Sequence, residues 1–247
     1  MKINIIHPTS NPENLDERQS VYVGLARSET IISVSILDER VPLNADPSDS
    51  FILPEILEKI VESENNGMDA VIVDCMEDPG VEEGRRLVKI PVIGPGHAAM
   101  NMAVILGHRF SILYPMEQLV FIHQLIHKYQ LSSMLASIKY LPCGLEGIMT
   151  DTKASMESLQ QTAIEAIVED GAAAIVPVCA LLSPLIQPLQ NFLHEKGYPV
   201  PVIDGAAAAV KLAETLSIWG YHTVVLLIHY RLAYLRESHN SIKERTK

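Results

Sequence analysis

An internal repeat constrains the fold of this chain more than any other feature. Pro91-Val92-Ile93-Gly94 is followed by Ala98-Ala99, Ala103 and Leu106, and the pattern returns as Pro201-Val202-Ile203-Asp204, then Ala208-Ala209, Ala213 and Leu216. Upstream of each copy an apolar run ends in cysteine: Val71-Ile72-Val73-Asp74-Cys75 and Ala174-Ile175-Val176-Pro177-Val178-Cys179. Each half reads as apolar strand, cysteine, helix, short strand, Ala-rich helix. Two copies are too few for a stacked solenoid. They predict two similar lobes facing each other across a cleft, each supplying one cysteine.

The rest of the chain fits that plan. Strand-like runs are expected at Lys2–His7, Thr30–Leu37, Ala70–Cys75, Pro91–Gly94, Arg109–Tyr114, Ala172–Cys179 and Pro199–Asp204, with a further one near Ala136–Leu141. Helical periodicity is expected over Phe51–Glu64, Gln118–Tyr129, Ser155–Glu169 and Ala206–Leu216. Short, nearly all-apolar strands alternating with helices argue for parallel sheets covered on both faces. The predicted class is therefore α/β, with two similar, pseudo-twofold-related lobes of about four parallel strands each. Lobe one takes residues 1–96 and 205–247, and lobe two takes 97–204. Parallel sheets of this kind place ligands outside the carboxyl ends of their strands, which is where both cysteines fall.

Composition excludes several classes. The net charge of −11 disfavours nucleic acid and anionic membrane surfaces. No run reaches the ~20 apolar residues of a membrane helix. The longest late run, Val224 to Ile228, is flanked by His222 and His229, and the polar tail from Glu237 to Lys247 is expected to fray. The opening Met1-Lys2-Ile3-Asn4-Ile5-Ile6-His7 is too short and too polar for a secretory signal. Three cysteines, Cys75, Cys143 and Cys179, are an odd and sparse set, which reads as reduced thiols in the cytoplasm. The expected partner is a small molecule. Homo-oligomer formation stays open.

A thiol at a strand end beside a helix N-terminus sits among unpaired backbone N–H groups, which favour thiolate and lower its pKa. Two facing thiols suit inversion of a stereocentre next to a carbonyl: one thiolate abstracts a proton from one face while the other thiol donates to the opposite face. The developing oxyanion needs backbone N–H donors.

Asp69-Ala70-Val71-Ile72-Val73-Asp74-Cys75-Met76-Glu77-Asp78-Pro79-Gly80 resembles the first cysteine motif of hydantoin racemases. Pro91-Val92-Ile93-Gly94 with Ala98-Ala99-Met100, then Leu106-Gly107-His108-Arg109-Phe110-Ser111, resembles the next segment of those enzymes. Pro201-Val202-Ile203-Asp204-Gly205-Ala206-Ala207-Ala208-Ala209-Val210-Lys211-Leu212-Ala213-Glu214 resembles their closing segment. The wider aspartate/glutamate/hydantoin racemase family includes maleate isomerases and arylmalonate decarboxylases. The resemblance implies a racemase or epimerase without cofactor or metal, acting on an amino-acid-like or hydantoin-like compound through Cys75 and Cys179. An isomerase or decarboxylase of a small dicarboxylic acid in the same cleft is the alternative, and a non-catalytic small-ligand-binding protein is a third reading. Thr9, Ser10 and Asn11 after the first strand are expected to bind substrate, with Asp74, Met76 and Ala180 beside the cysteines. The family pattern is altered at four places. The first loop reads His7-Pro8-Thr9-Ser10-Asn11 in place of N-P-N-T. The second cysteine lies in Val178-Cys179-Ala180 in place of G-C-A-G or G-C-T. Tyr114-Pro115 replaces a threonine pair, and His97 replaces a glutamate. Tyr114 and His97 therefore join the expected substrate contacts.

Other motifs have plainer readings. Gly94-Pro95-Gly96-His97-Ala98-Ala99 mimics a dinucleotide fingerprint, but Pro95 lacks an amide a pyrophosphate would use, and the repeat accounts for the segment. His97 either orients substrate or caps its helix. His123 and His127, four apart on a helix, lack a third zinc ligand and read as a solvated face. Cys143 lies outside the repeat and reads as a bystander. Asp74 is either a strand-end carboxylate or a group that tunes the neighbouring thiol.

Overall fold

The computed structural model describes residues 1–13, 15–42 and 50–223. Seven strands lie among them: β1 (Lys2–His7), β2 (Ile31–Ile36), β3 (Ala70–Val73), β4 (Val92–Ile93), β5 (Phe110–Tyr114), β6 (Leu135–Tyr140) and β7 (Ala174–Pro177). The helices among these residues are α1 (Leu15–Leu25), α2 (Leu53–Asn65), α3 (Val81–Arg85), α4 (Pro95–Gly107), α5 (Val120–Lys128), α6 (Gly144–Thr150), α7 (Thr152–Val168), α8 (Ser183–Glu195) and α9 (Gly205–Ile218). The tail from Glu237 to Lys247 lies outside the described residues, as does the Val224 to Ile228 run.

Two parallel sheets form, in the orders β2-β1-β3-β4 and β6-β5-β7. A single parallel bridge from Ile175 to Val202 extends the second order by one position. The Pro201-Val202-Ile203 copy thus lies beside β7 as β4 lies beside β3. Its shortness corrects the strand expected over Pro199–Asp204. Pro199 and Pro201 have no N–H to give a ladder, and the Val202 N–H donates to Gln190 Oε1 (2.7 Å) in place of a neighbouring strand.

Three apolar clusters explain the layering. Ile3 and Ile5 of β1, Ile72 of β3, Phe110 and Ile112 of β5 and Val176 of β7 all point into one central cluster, joined by Ala99, Ala103, Ala209 and Ala213. The alternate residues of the same strands face outward. Ile6, Val71 and Val73 pack with α2 residues Ile56 and Ile60, and Leu113 and Ile175 pack with Leu159, Ala163 and Leu189 of α7 and α8. Strand residues alternate faces, and both faces are covered, so every residue of β3, β5 and β7 is buried. The Ala-rich helices pack against each other at the centre, and each also covers a sheet: α4 contacts β5 and β7, while α9 contacts β3 and β4. Alanine permits that close approach of two helices and two sheets. No helix among the described residues is long and apolar enough to cross a membrane.

Candidate active site

Each cysteine comes just beyond the carboxyl end of an equivalent strand. β3 ends at Val73 and Cys75 lies two residues on; β7 ends at Pro177 and Cys179 lies two residues on. The central strands match as well, since β1 runs into His7-Pro8 and β5 into Tyr114-Pro115. The Asp74 N–H continues the first ladder to the Ile6 carbonyl, and the Val178 N–H continues the second to the Leu113 carbonyl, both at 2.8 Å.

The expected donors are present but do not dominate. Backbone N–H groups of Leu181 and Leu182 favour the Cys179 thiolate, and Arg18 adds to them. Burial outweighs all three and pushes the Cys179 thiol up to about 11. Cys75 is raised well above the ordinary thiol value, first by burial and then by Glu77, with Asp78 and Asp74 adding to it. The expectation of depressed thiol pKa values is thereby corrected: both thiols hold their protons at neutral pH. Asp74 contributes to the shift of both, so both lie within its electrostatic reach.

Asp74 is the most heavily bonded group nearby. Arg18 of α1 donates through Nε to Oδ2 (3.0 Å) and through one Nη to Oδ1 (2.7 Å) and Oδ2 (2.6 Å). The Tyr22 hydroxyl donates to Oδ1 (2.6 Å), and His7 Nδ1 lies 3.3 Å from Oδ2. Burial alone would raise the Asp74 carboxyl. His7, Arg18 and Tyr22 together hold it below its ordinary value. The other Nη of Arg18 donates to the Ala180 carbonyl (3.2 Å), so one guanidinium bonds to the residue before Cys75 and the residue after Cys179. Asp74, Met76, Cys179 and Ala180 also line a small cavity of about 10 Å³ with Ser183 and Asp204, roughly the room one water needs.

The other expected contacts are dispersed. The Ser10 hydroxyl is buried and donates to the Val41 carbonyl (2.6 Å). Thr9 Oγ1 accepts from the Asn11 N–H (3.1 Å), and Asn11 Oδ1 accepts from the Glu13 N–H (3.0 Å), so the loop is braced by its own side chains. The Tyr114 hydroxyl donates to Glu77, which joins the end of β5 to the first cysteine loop. Buried Met76 contacts the starts of both central helices, since a Cβ on Gly96 would meet the Met76 carbonyl oxygen at 2.1 Å and one on Gly205 its sulfur at 2.2 Å. His97 lies on a different cavity, of about 300 Å³, between Arg85 and Lys128. Its ring stacks on Tyr129 (centroids 4.2 Å apart). Burial, then Arg85 and Lys128, lower its pKa to about 4. His123 and His127 are exposed on the outer side of α5, and no group of three or more metal-ligating side chains converges among the described residues. Cys143 precedes α6 and packs on the outer cluster of the second sheet.

The two repeat helices are capped by carboxylates from different places. Asp204 caps α9 directly, accepting from the Ala206 and Ala207 N–H groups (2.9 and 3.3 Å). The equivalent position before α4 is Gly94, and Asp78 from the cysteine loop takes over the role, accepting from the Gly96 and His97 N–H groups (2.9 and 2.7 Å). The N–H of His97 is therefore itself capped, by Asp78.

Comparison with known proteins gives the chain a family. The sequence profile described as Asp/Glu/Hydantoin racemase matches residues 38–213. Hydantoin racemases from Rhizobium meliloti and Paenarthrobacter aurescens are each 31% identical to the chain over 90% of its length, covering 91% and 94% of theirs. The chain belongs to the Asp/Glu/hydantoin racemase family. Among solved structures, allantoin racemase from Klebsiella pneumoniae superposes with a TM-score of 0.80 at 28% identity, over 90% of both chains.

Within this racemase-family fold, three polar groups have roles that the sequence pattern does not show: Arg18, Tyr22 and Asp78. Arg18 and Tyr22 are four apart and are the buried residues of α1, which has no apolar stripe. Their one signal is an arginine and a tyrosine on one helical face in a segment without an apolar stripe. Asp78 stands inside the first cysteine motif, but nothing local ties it to Gly96 and His97, eighteen and nineteen residues on.

Proposed function

We propose that this chain is a cofactor-independent cytoplasmic racemase or epimerase that inverts an acidic C–H of a small hydantoin-like or amino-acid-like compound, with Cys75 and Cys179 as its acid–base pair. The substrate would lie between a lobe of residues 1–96 with 205–247 and a lobe of 97–204. One observation carries this reading: Arg18 bonds at once to Asp74 and to Ala180, the immediate neighbours of the two cysteines. That brings the ends of β3 and β7 to one seam. One thiolate removes the proton from carbon and the opposite thiol supplies one to the other face. The pair then stands in the mirror protonation state, ready for the other enantiomer. Backbone N–H groups after the cysteines, such as those of Leu181 and Leu182, are suited to meet the oxyanion that develops.

The test is solvent deuterium uptake at carbon in D2O, followed by NMR for separate enantiomers of 5-substituted hydantoins, allantoin, free amino acids and small dicarboxylates. Uptake with inversion on the cyclic ureides or amino acids supports the reading. Uptake accompanied by carbon dioxide release from a malonate favours the decarboxylase alternative. Tight binding without exchange on any candidate favours a binding protein and overturns the proposal.

A further inference from the structure

One guanidinium lies between the two cysteine loops. Arg18 is 6% exposed, and three of its hydrogen bonds go to Asp74, while the fourth crosses to the Ala180 carbonyl. The buried residues of the helix that carries it are Arg18 and Tyr22, and both bind the same carboxylate, while the Tyr22 ring and Leu25 pack on the central cluster. A buried ion pair is a weak source of net stability, because desolvation offsets most of the attraction. The ion pair itself therefore gives little stabilising reason for an arginine at this place, whereas geometry does. The planar fork of arginine can hold a carboxylate bidentately and still aim a further N–H elsewhere, which an ammonium cannot do.

We propose that Arg18 is a positioning residue for the reaction: through the chain Asp74–Arg18–Ala180 it holds the Cys179 loop in place against the Cys75 loop, and its charge balances that of Asp74 at Cys179. The proposal rests on the acid–base role assigned to the two cysteines above. It concerns a group that need not touch substrate, since the donors of Arg18 are directed at the protein itself.

The sign of each charge has physical consequences. Arg18 favours the Cys179 thiolate and Asp74 disfavours it. Asp204 lines the same cavity and is held by the Ser183 hydroxyl (2.7 Å) and the start of α9. Cys75 faces Glu77, Asp78 and Asp74. Removing Arg18 takes away the cation that favours the Cys179 thiolate and leaves Asp74 to His7 and Tyr22, whereas removing the Asp74 charge takes away the anion that disfavours it. The two single changes must therefore move Cys179 in opposite directions, whereas a purely structural pair would loosen the loop in the same way whichever partner is lost.

The experiment is alkylation of the intact protein by iodoacetamide at pH 8 to 9, with each cysteine followed separately by peptide mass spectrometry and Cys143 as the internal reference. Arg18→Gln is expected to slow Cys179 alkylation by roughly threefold to tenfold, Asp74→Asn to speed it by a similar factor, and the double variant to return it to within about twofold of the parent. Single changes that shift Cys179 in the same direction, that leave it unmoved, or that shift Cys143 equally would overturn the proposal. If Arg18→Gln does not fold, Arg18→Lys replaces it. Lysine keeps the charge and loses the fork, so Cys179 alkylation should stay within about twofold of the parent while kcat falls about tenfold at unchanged KM; an unchanged kcat would refute the positioning role. The function assigned to the cysteines fails on a different measurement. If both cysteines prove dispensable for deuterium exchange while the opposite-sign pattern holds, the catalytic reading falls and the coupling of the loops stands.

Discussion

The Tyr129 hydroxyl, just past α5, donates to Asp78 Oδ2 over 2.6 Å, joining the second half of the chain to the first cysteine loop. The same carboxylate caps α4 through the Gly96 and His97 N–H groups. Despite these three donors, burial raises the Asp78 carboxyl to about 6. An acid whose folded pKa lies above its unfolded value binds protons more readily when folded. Its contribution to stability is present at low pH and is lost as pH rises toward the folded pKa. Between the ordinary value of 3.8 and about 6 the contribution amounts to about 3 kcal/mol. The parent protein should therefore gain stability relative to Asp78→Asn as pH falls from about 6.5 to 4, measured as the difference in urea unfolding free energy at each pH. A pH-independent difference would mean that Asp78 titrates normally.

Two glycines permit the close contacts that hold this loop. A Cβ on Gly94 would lie 2.3 Å from the Asp78 carboxyl carbon, and one on Gly96 would meet the Met76 carbonyl oxygen at 2.1 Å. Gly94→Ala displaces the capping carboxylate, so it should cost about 1–3 kcal/mol for overpacking together with part of a helix cap. Gly96→Ala strikes backbone and should cost at least as much. Gly205→Ala meets the sulfur of Met76, the far end of a flexible side chain, and should cost less than either. Urea midpoints at constant m-value rank the three, and a Gly205→Ala loss exceeding that of Gly96→Ala would show that Met76 cannot give.

The repeat makes most of this architecture legible. Val71–Val73 and Ala174–Val176 are apolar at every position because both of their faces are covered, and that is visible in sequence. Pairing order is legible too, since equivalent segments take equivalent places beside β3 and β7. What stays silent depends on partners distant in the chain. Arg18 and Tyr22 dock α1 through polar contacts 56 and 52 residues away, and a periodicity argument weighs only apolar residues. His97 opens the helix after the P-V-I-G strand, so it reads as a site residue. Its ring instead stacks on Tyr129 beside a separate cavity, a direction set by where α5 ends. The thiol pKa values depart from expectation as a matter of magnitude. N–H donors near a strand end are legible, but the extent of burial that outweighs them is not.

Those raised thiols set a pH dependence. Exchange needs one thiolate and one thiol, and burial keeps both protonated near neutrality. For a substrate that does not itself ionise in the range, kcat/KM should rise about tenfold per pH unit from pH ~7 to ~9, as the singly ionised pair becomes more populated. A profile flat above neutrality would show that a thiolate is already present in the free enzyme, and that some group lowers its pKa against the burial seen here.

The sharpest prediction separates the two cysteines by the enantiomer each serves. Each enantiomer presents its proton to one thiol only, so the thiols are not interchangeable. Serine is a far weaker base than a thiolate, yet its hydroxyl can still carry a proton. Cys75→Ser should therefore sharply reduce deuterium exchange for the enantiomer that uses Cys75 as base, while part of the exchange survives for the other, whose proton goes to Cys179. Cys179→Ser should give the mirror pattern. Each loss should be about 10²–10⁴-fold, the usual size for a positioned acid–base group. Cys143→Ser should change little, since Cys143 precedes α6 and lies outside the repeat that supplies the other two cysteines. Exchange is read by NMR on each enantiomer separately, before net inversion mixes them. Full exchange of both enantiomers in both variants would make these cysteines structural. Loss in only one variant, for either enantiomer, would point to a one-thiol chemistry, in which a single group reprotonates a carbanion formed by decarboxylation.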